Sequence, residues 1–495
     1  MLTCSNHNLC LLSVFLEEGL RSIIGLFHLT GLQWARGESL TVTVSPSFRN
    51  HFITRGAAKY PHLTSGSVNK IIQAQGTVVL CAVVEGGLED SDDDEDHPPP
   101  PAENKQGSLV VYHHGRVLVA PAHCHQRETF RGSVMKYYTV CDVAFNPLNP
   151  RQFLSSGYDL VVQSWEILDS DDNDERKGLN AIHHFPFDSR PQDLIFSPDG
   201  SALAINCHDG TVRLYYQDLF EDMIDVHVPF KKFYVAPRGL DHAAGSTLWG
   251  MGPSKHLLFT SSEPTERDDF SGFHHAFDTC KGVQAVQFDA LEAGDAASLS
   301  PDGATLALFT WGKDSTHPIR LYDVRRKVKE AYETEELEKF KVRPQISSNQ
   351  GQGDTEEVNQ ASFSPDGRLL AVARNDNALH VYDVRALSRG PLCRFAHHDS
   401  DAVGGGGFGI VAARWIQGRD RIGIASGGND GCVRLWEPAL GSKSDIQGAV
   451  IGRTDFDVAH FSVGDRQSGE FPLVIGDAGG GMHTYDFANP DGIPI

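Results

Sequence analysis

Residues 363–383 read FSPDGRLLAVARNDNALHVYD, and this stretch decides the architecture. An apolar residue leads into Ser-Pro-Asp-Gly, a turn in which Pro presets φ, Asp caps the local backbone and Gly accepts positive φ. An apolar run (LLAVA) follows, then a second polar turn (RNDN), then an alternating run ending on an aromatic and an acid (ALHVYD). Alternation of period two marks strands with one buried face, and the short connections make the runs antiparallel neighbours.

The same unit recurs as FSPDGSALAINCHDGTVRLYY at 196–216 and as LSPDG through IRLYD at 299–323. Weaker copies occupy 143–166, 413–437 and 459–486, and divergent ones 70–113 and 246–278. Their third strands are marked by Tyr112, Trp165, Tyr215, Phe277, Tyr322, Tyr382, Trp436 and Tyr485, mostly about 50 to 60 residues apart. Four short strands per unit at such a period predict an all-β propeller. Eight aromatics point to eight blades; seven follow if 70–113 or 246–278 is an insertion. The domain reading is a leader at 1–38, a propeller at 39–487 and a tail at 488–495. LTVTV at 40–44 alternates and is the expected ring-closing strand, which would remove an exposed sheet edge.

At these residues the chain resembles the WD-repeat (WD40) family over roughly 65–487. The matches are the turns containing Asp199, Asp302 and Asp366, Ser426 with Asp430 and Trp436, Ser156 with Asp159 and Trp165, and Tyr-Asp endings at Tyr322, Tyr382 and Tyr485. The family's Gly-His pair is absent, His397-His398 being its best substitute, so the resemblance implies a Ser/Asp/Trp hydrogen-bond network in two or three blades. Because the repeats account for most of the chain and leave only loops too short for a second catalytic core, the expectation is a non-enzymatic platform that binds other proteins. The competing class is an enzyme built on a propeller, with acids and histidines converging in the central channel.

Composition narrows the partners. The 495 residues are 40% hydrophobic and 22% charged, which excludes a disordered, collagenous or coiled-coil chain. A net charge of −22, from 65 acids against 43 bases, repels phosphate backbones and argues against nucleic acid. Nine cysteines, without a C-x-x-C pair, fit reduced thiols in cytosol or nucleus. The apolar stretch NLCLLSVFL at 8–16 is too short to span a bilayer and lacks the basic start of a signal peptide. The propeller itself is expected to be monomeric.

The glycines of GGGGFG (404–409) lead into IVAARW, which reads as a strand, so they form an inter-blade loop and not a dinucleotide site. His123-Cys124-His125 supplies at most two ligands from an extended chain and reads as a solvated loop. His-His pairs at 113–114, 183–184, 274–275 and 397–398 are placed at strand ends and inter-blade loops. Asp209, Asp376 and Asp430 stand in second-to-third strand turns and are read as turn caps. No catalytic residue, cofactor or metal is assigned.

Two features point to partners. Acidic insertions at 88–106 and 169–177 contain EDSDDDED (89–96) and DSDDNDE (169–175), and such runs repel themselves unless a basic protein neutralises them. Asp92, Asp93, Asp94, Glu95 and Asp96 are the candidate contacts, with chaperone-like binding of basic proteins as one reading. Tyr-Asp-Val-Arg recurs at 322–325 and 382–385. In the family, such endings on consecutive blades resemble the docking motif of substrate receptors for cullin–RING ubiquitin ligases, and Arg325 and Arg385 would contact the ligase adaptor. The alternative is that each Arg pairs with an acid of the neighbouring blade. The segment 327–357 between the two blades would interrupt a continuous docking face.

Overall fold

In the computed structural model the described residues are 41–43, 54–84, 104–129, 132–168, 178–216, 220, 229–266, 269–312, 317–326, 329–337, 358–397, 409–417, 422–440, 448–465 and 468–487. They form eight antiparallel blades of at least four strands each, plus one two-stranded hairpin. Blade 1 takes Val68–Ala74, Thr77–Ala82, Leu109–His113 and Arg116–Val119, so 70–113 is a blade and not an insertion. The segment 246–278 likewise lies within blade 4, His242–Trp249 to Val283–Gln287. All eight third-strand aromatics lie on third strands, which fixes the count at eight.

The ring is closed by Thr54–Tyr60, which pairs antiparallel with Met482–Phe487, the third strand of blade 8. This corrects the expectation for LTVTV: Thr41–Thr43 instead pairs parallel with Ala412–Gln417, the inner strand of blade 7. The closing strand starts with Thr54 opposite Phe487 and ends with Tyr60 opposite Met482, joining residues over 400 positions apart. Tyr60 packs against Tyr112 of blade 1, at 5.8 Å between ring centroids, so the closing strand also seals the junction to the next blade.

Cores lie between adjacent blades. Ile319, Leu321, Tyr382, Leu370 and Val372 bury the junction of blades 5 and 6, and Trp415, Ile424, Ala371 and Val381 that of blades 6 and 7. Because strands alternate in direction, turns after first and third strands lie on one face. Connections after second and outer strands lie on the other. The insertion 88–106 falls between the second and third strands of blade 1 and 169–177 between the third and outer strands of blade 2, and those flanking strands end on opposite faces. Asp92, Asp93, Asp94, Glu95 and Asp96 lie outside the described residues, as do 1–38 and 488–495. The first insertion ends sooner than expected. Asn104 Nδ2 donates to Met135 O at 2.6 Å, and its Oδ1 accepts from Tyr137 N at 2.8 Å, on the hairpin Cys124–Thr129 and Gly132–Tyr137.

Candidate functional site

The third strand of blade 5 ends at Asp323 and that of blade 6 at Asp383, and each passes into a 3₁₀ turn, Val324–Arg326 and Val384–Arg389. Asp323 Oδ1 accepts the backbone N–H of Arg325 at 3.1 Å and its Nε at 3.0 Å, while Oδ2 accepts Nη2 at 3.0 Å. Asp383 holds Arg385 in the same way, at 3.0, 3.0 and 2.8 Å. The partner of each Arg is therefore the Asp two residues earlier, not an acid of the next blade. The side-chain bond from each Arg holds its carboxylate below the usual range. Both guanidiniums stay exposed, at 58% and 75%, so the fork orients donors without hiding them.

Arg325 and Arg385 emerge on one face, together with the turns of Asp302 and Asp366. In those turns the carboxylate accepts a seryl hydroxyl, from Ser300 at 2.5 Å and from Ser364 at 2.6 Å, as Asp199 does from Ser197 at 2.7 Å. Ser388 N donates to Glu333 Oε1 at 3.3 Å, tying the blade 6 arginine turn to the outer strand of blade 5. That outer strand, Glu333–Glu336, runs antiparallel to Pro318–Asp323 at the edge of blade 5. Of the segment 327–357, expected to interrupt the docking face, residues 327–328 and 338–357 lie outside the described residues.

The structural repeat residues are largely where the spacing puts them. Tyr322 is buried and its hydroxyl donates to Asp289 Oδ1 at 2.7 Å. Tyr215 and Tyr382 are buried, and Tyr485 donates to Arg453 O at 2.7 Å. In blade 7, His397 Nδ1 meets Asp430 Oδ1 at 2.9 Å, His397 Nε2 meets Ser426 Oγ at 2.8 Å, and Trp436 Nε1 donates to that Oγ at 2.8 Å. Blade 2 repeats this set with His123, Asp159, Ser155 and Trp165, at 2.7 Å for His–Asp, 2.8 Å for His–Ser and 2.9 Å for Trp–Ser. Among the described residues these are the two complete networks.

Two sequence readings change here. The serine is Ser155, not Ser156, and His123 is buried at 1% exposure, not part of a solvated loop. Spacing held the signal: Ser155, Asp159 and Trp165 are spaced as Ser426, Asp430 and Trp436 are. His183 and His184 lie inside the outer strand of blade 2, Leu179–Pro186, rather than at its end. Asp209, Asp376 and Asp430 do cap their turns, accepting from Thr211 N, Ala378 N and Cys432 N at 3.0 to 3.2 Å. Of the glycine run only Gly409 is described, at φ 67°, and it leads into the inner strand of blade 7 as expected.

Asp457 carried no sequence signal. It is 4% exposed, between blades 7 and 8, with neither carboxylate oxygen hydrogen-bonded. Burial, then repulsion from Asp430, pushes its pKa up.

Comparison with known proteins agrees with this geometry. The model of the WD domain, G-beta repeat, matches residues 345–383. Coronin-7 from Homo sapiens and from Pongo abelii are each 36% identical over 76 residues, 15% of this chain and 7% of the relative. The chain therefore spans a small fraction of the curated relatives it matches. The Dos1 propeller structure superposes with a TM-score of 0.66 at 16% identity, covering 89% of this chain and 96% of that one. A computationally designed protein, Ika8, gives 0.51 at 13% identity, covering 86% and 100%. The chain folds as an eight-bladed β-propeller, and within it residues 345–383 match the WD repeat.

Proposed function

We propose that this propeller is a non-enzymatic scaffold that docks a partner protein through the paired Asp–Arg forks of blades 5 and 6. In this reading it is a substrate receptor whose forks meet the adaptor of a cullin–RING ubiquitin ligase. The supporting observation is the repetition of one exposed bidentate fork, with nearly identical distances, at equivalent turns of consecutive blades. An arginine already held by its own Asp loses little side-chain freedom on binding, and it keeps donors for a carbonyl or carboxylate of the partner. A cytosolic or nuclear location belongs to the same reading, and the seven described cysteines are all free thiols.

The test is co-purification of adaptor and ligase scaffold with the chain and with its Arg325→Ala/Arg385→Ala variant. Truncating an interfacial Arg typically costs ~2 kcal/mol or more, so recovery should fall at least about tenfold. Exposed pairs contribute under ~1 kcal/mol, so the variant should stay folded. Unchanged recovery, or none even with the unmutated chain, overturns the ligase reading and leaves the general scaffold.

A further inference from the structure

Three blades place a basic side chain, arginine in two and histidine in one, four residues after the Asp of the second-to-third strand turn. Asp430 Oδ2 accepts from Arg434 Nε at 2.8 Å, and Asp376 Oδ2 meets His380 Nε2 at 2.9 Å. In blade 3, Asp209 Oδ2 lies 3.5 Å from Arg213 Nη2. Each of these Asp residues precedes its third-strand aromatic by six positions, as Asp159 precedes Trp165.

Blade 2 breaks the pattern. Four residues after Asp159 stands Gln163, whose amide is turned to His184 Nδ1 at 3.1 Å. Asp159 Oδ1 is engaged by His123, but Oδ2 has no hydrogen-bond partner although the side chain is only 1% exposed. Facing that oxygen, at 3.9 Å, is Nε2 of His125 on the first strand of the hairpin. The His125 ring is half exposed and meets Tyr138 edge-on at 5.5 Å.

We infer that Asp159 and His125 form a protonation-gated latch. Protonated His125 occupies in blade 2 the place that Arg434 holds in blade 7, fastening the hairpin to the propeller, and the neutral ring releases it. An imidazole is the side chain suited to such a gate, because it changes charge between mildly acidic and mildly basic pH.

The other groups around the pair leave this role to His125. His123 is fixed between Asp159 Oδ1 and Ser155 Oγ. Burial pushes the Cys124 thiol up and keeps it neutral. Burial also holds His184 below the ordinary imidazole range. His183 lies beside Phe185 at 5.6 Å, and Lys136 Nζ sits over the Tyr138 ring at 4.8 Å. The hairpin lies on the face opposite Arg325 and Arg385, so the latch governs a separate surface and does not rest on the docking proposal.

The test is amide hydrogen exchange of the full chain at pH 5.5 and pH 8, corrected for intrinsic rates, read on the hairpin. The pair forms when the ring is charged, so hairpin amides should be about fivefold better protected at the acidic pH. His125→Gln, which touches neither hydrogen-bond network, should abolish that difference. Gln163→Arg restores the cation found in blade 7 and should also abolish it, by filling Asp159 Oδ2 at both pH values. The latch is overturned if the unmutated hairpin shows no pH dependence, or if either variant keeps the difference at full size.

Discussion

His397 Nδ1 lies 2.9 Å from Asp430 Oδ1, across 33 residues of chain, and the carboxylate thereby orients a fully buried ring. Its Nε2 meets Ser426 Oγ, which accepts from Trp436 Nε1, so one acid orients three side chains across blade 7. His397→Ala removes the ring from this chain and leaves Asp430 and Ser426 short of a partner. It should cost about 3 kcal/mol, read as a lowered denaturant midpoint.

Burial pushes Asp430 up, but the bonds and charges of His397 and Arg434 outweigh it and hold the pKa at about 2. A carboxyl depressed in the folded state contributes stability above its unfolded value, and that contribution is lost as pH falls from ~4 through about 2. Asp430→Asn should therefore flatten the acid limb of the stability–pH curve in that window while lowering stability at neutral pH. An acid limb as steep as the parent's would contradict the assignment.

The two serines of blade 2 should behave oppositely. Ser155 Oγ serves both His123 and Trp165, and Ser155→Ala should cost about 2 kcal/mol. Ser156 is buried with no partner for its hydroxyl, so Ser156→Ala should be neutral within about 0.5 kcal/mol or slightly stabilising. Thermal melts of both variants decide it.

Asp457 is destabilising where it is charged. A folded pKa raised above the unfolded one gives stability below the unfolded value and loses it as pH rises through the folded value. Asp457→Asn should therefore stabilise the chain by about 1 kcal/mol at pH 7, and the gain should shrink toward pH 4. Urea titrations at both pH values measure the difference.

Gly303 and Gly115 separate backbone strain from collision. Both have positive φ, 68° and 81°, but a Cβ at Gly303 would lie 1.9 Å from Met251 O, whereas at Gly115 it meets nothing within 4 Å. Gly115→Ala should cost about 1 kcal/mol and Gly303→Ala several times more, since only the second displaces backbone. Comparable midpoints for the two would refute this.

The forks yield a prediction that spares the arginines. Asp323→Asn with Asp383→Asn removes the charge that orients each guanidinium and should weaken partner recovery although both Arg remain. A pull-down as strong as the parent's would show that fork geometry does not matter to docking.

Much of the blade pattern was legible because it is local. Each Ser-Pro-Asp-Gly turn and each alternating run is specified within about 25 residues, and the eight aromatics counted the blades, divergent ones included. The candidate site was legible in part. Arg325 and Arg385 were visible as a repeated tetrapeptide, but the intrachain alternative placed their acid in the neighbouring blade, whereas it is the Asp two residues earlier. His123 was hidden because a hairpin stands between it and the strand it serves, and Ser156 competed with Ser155 as an adjacent serine.

The sequence by itself determined which segments are strands and which turns join them, since side-chain alternation and φ preferences act between neighbours. Tertiary structure alone decided how the ring closes. LTVTV carries the stronger alternation, yet Thr54–Tyr60 is the strand that meets Met482–Phe487, because closure depends on where the two ends of the ring arrive. The same holds for Asp159 and His125, and for the two arginines on one face. Each pairing is set by blade geometry between residues far apart in the chain, where local preference has no influence.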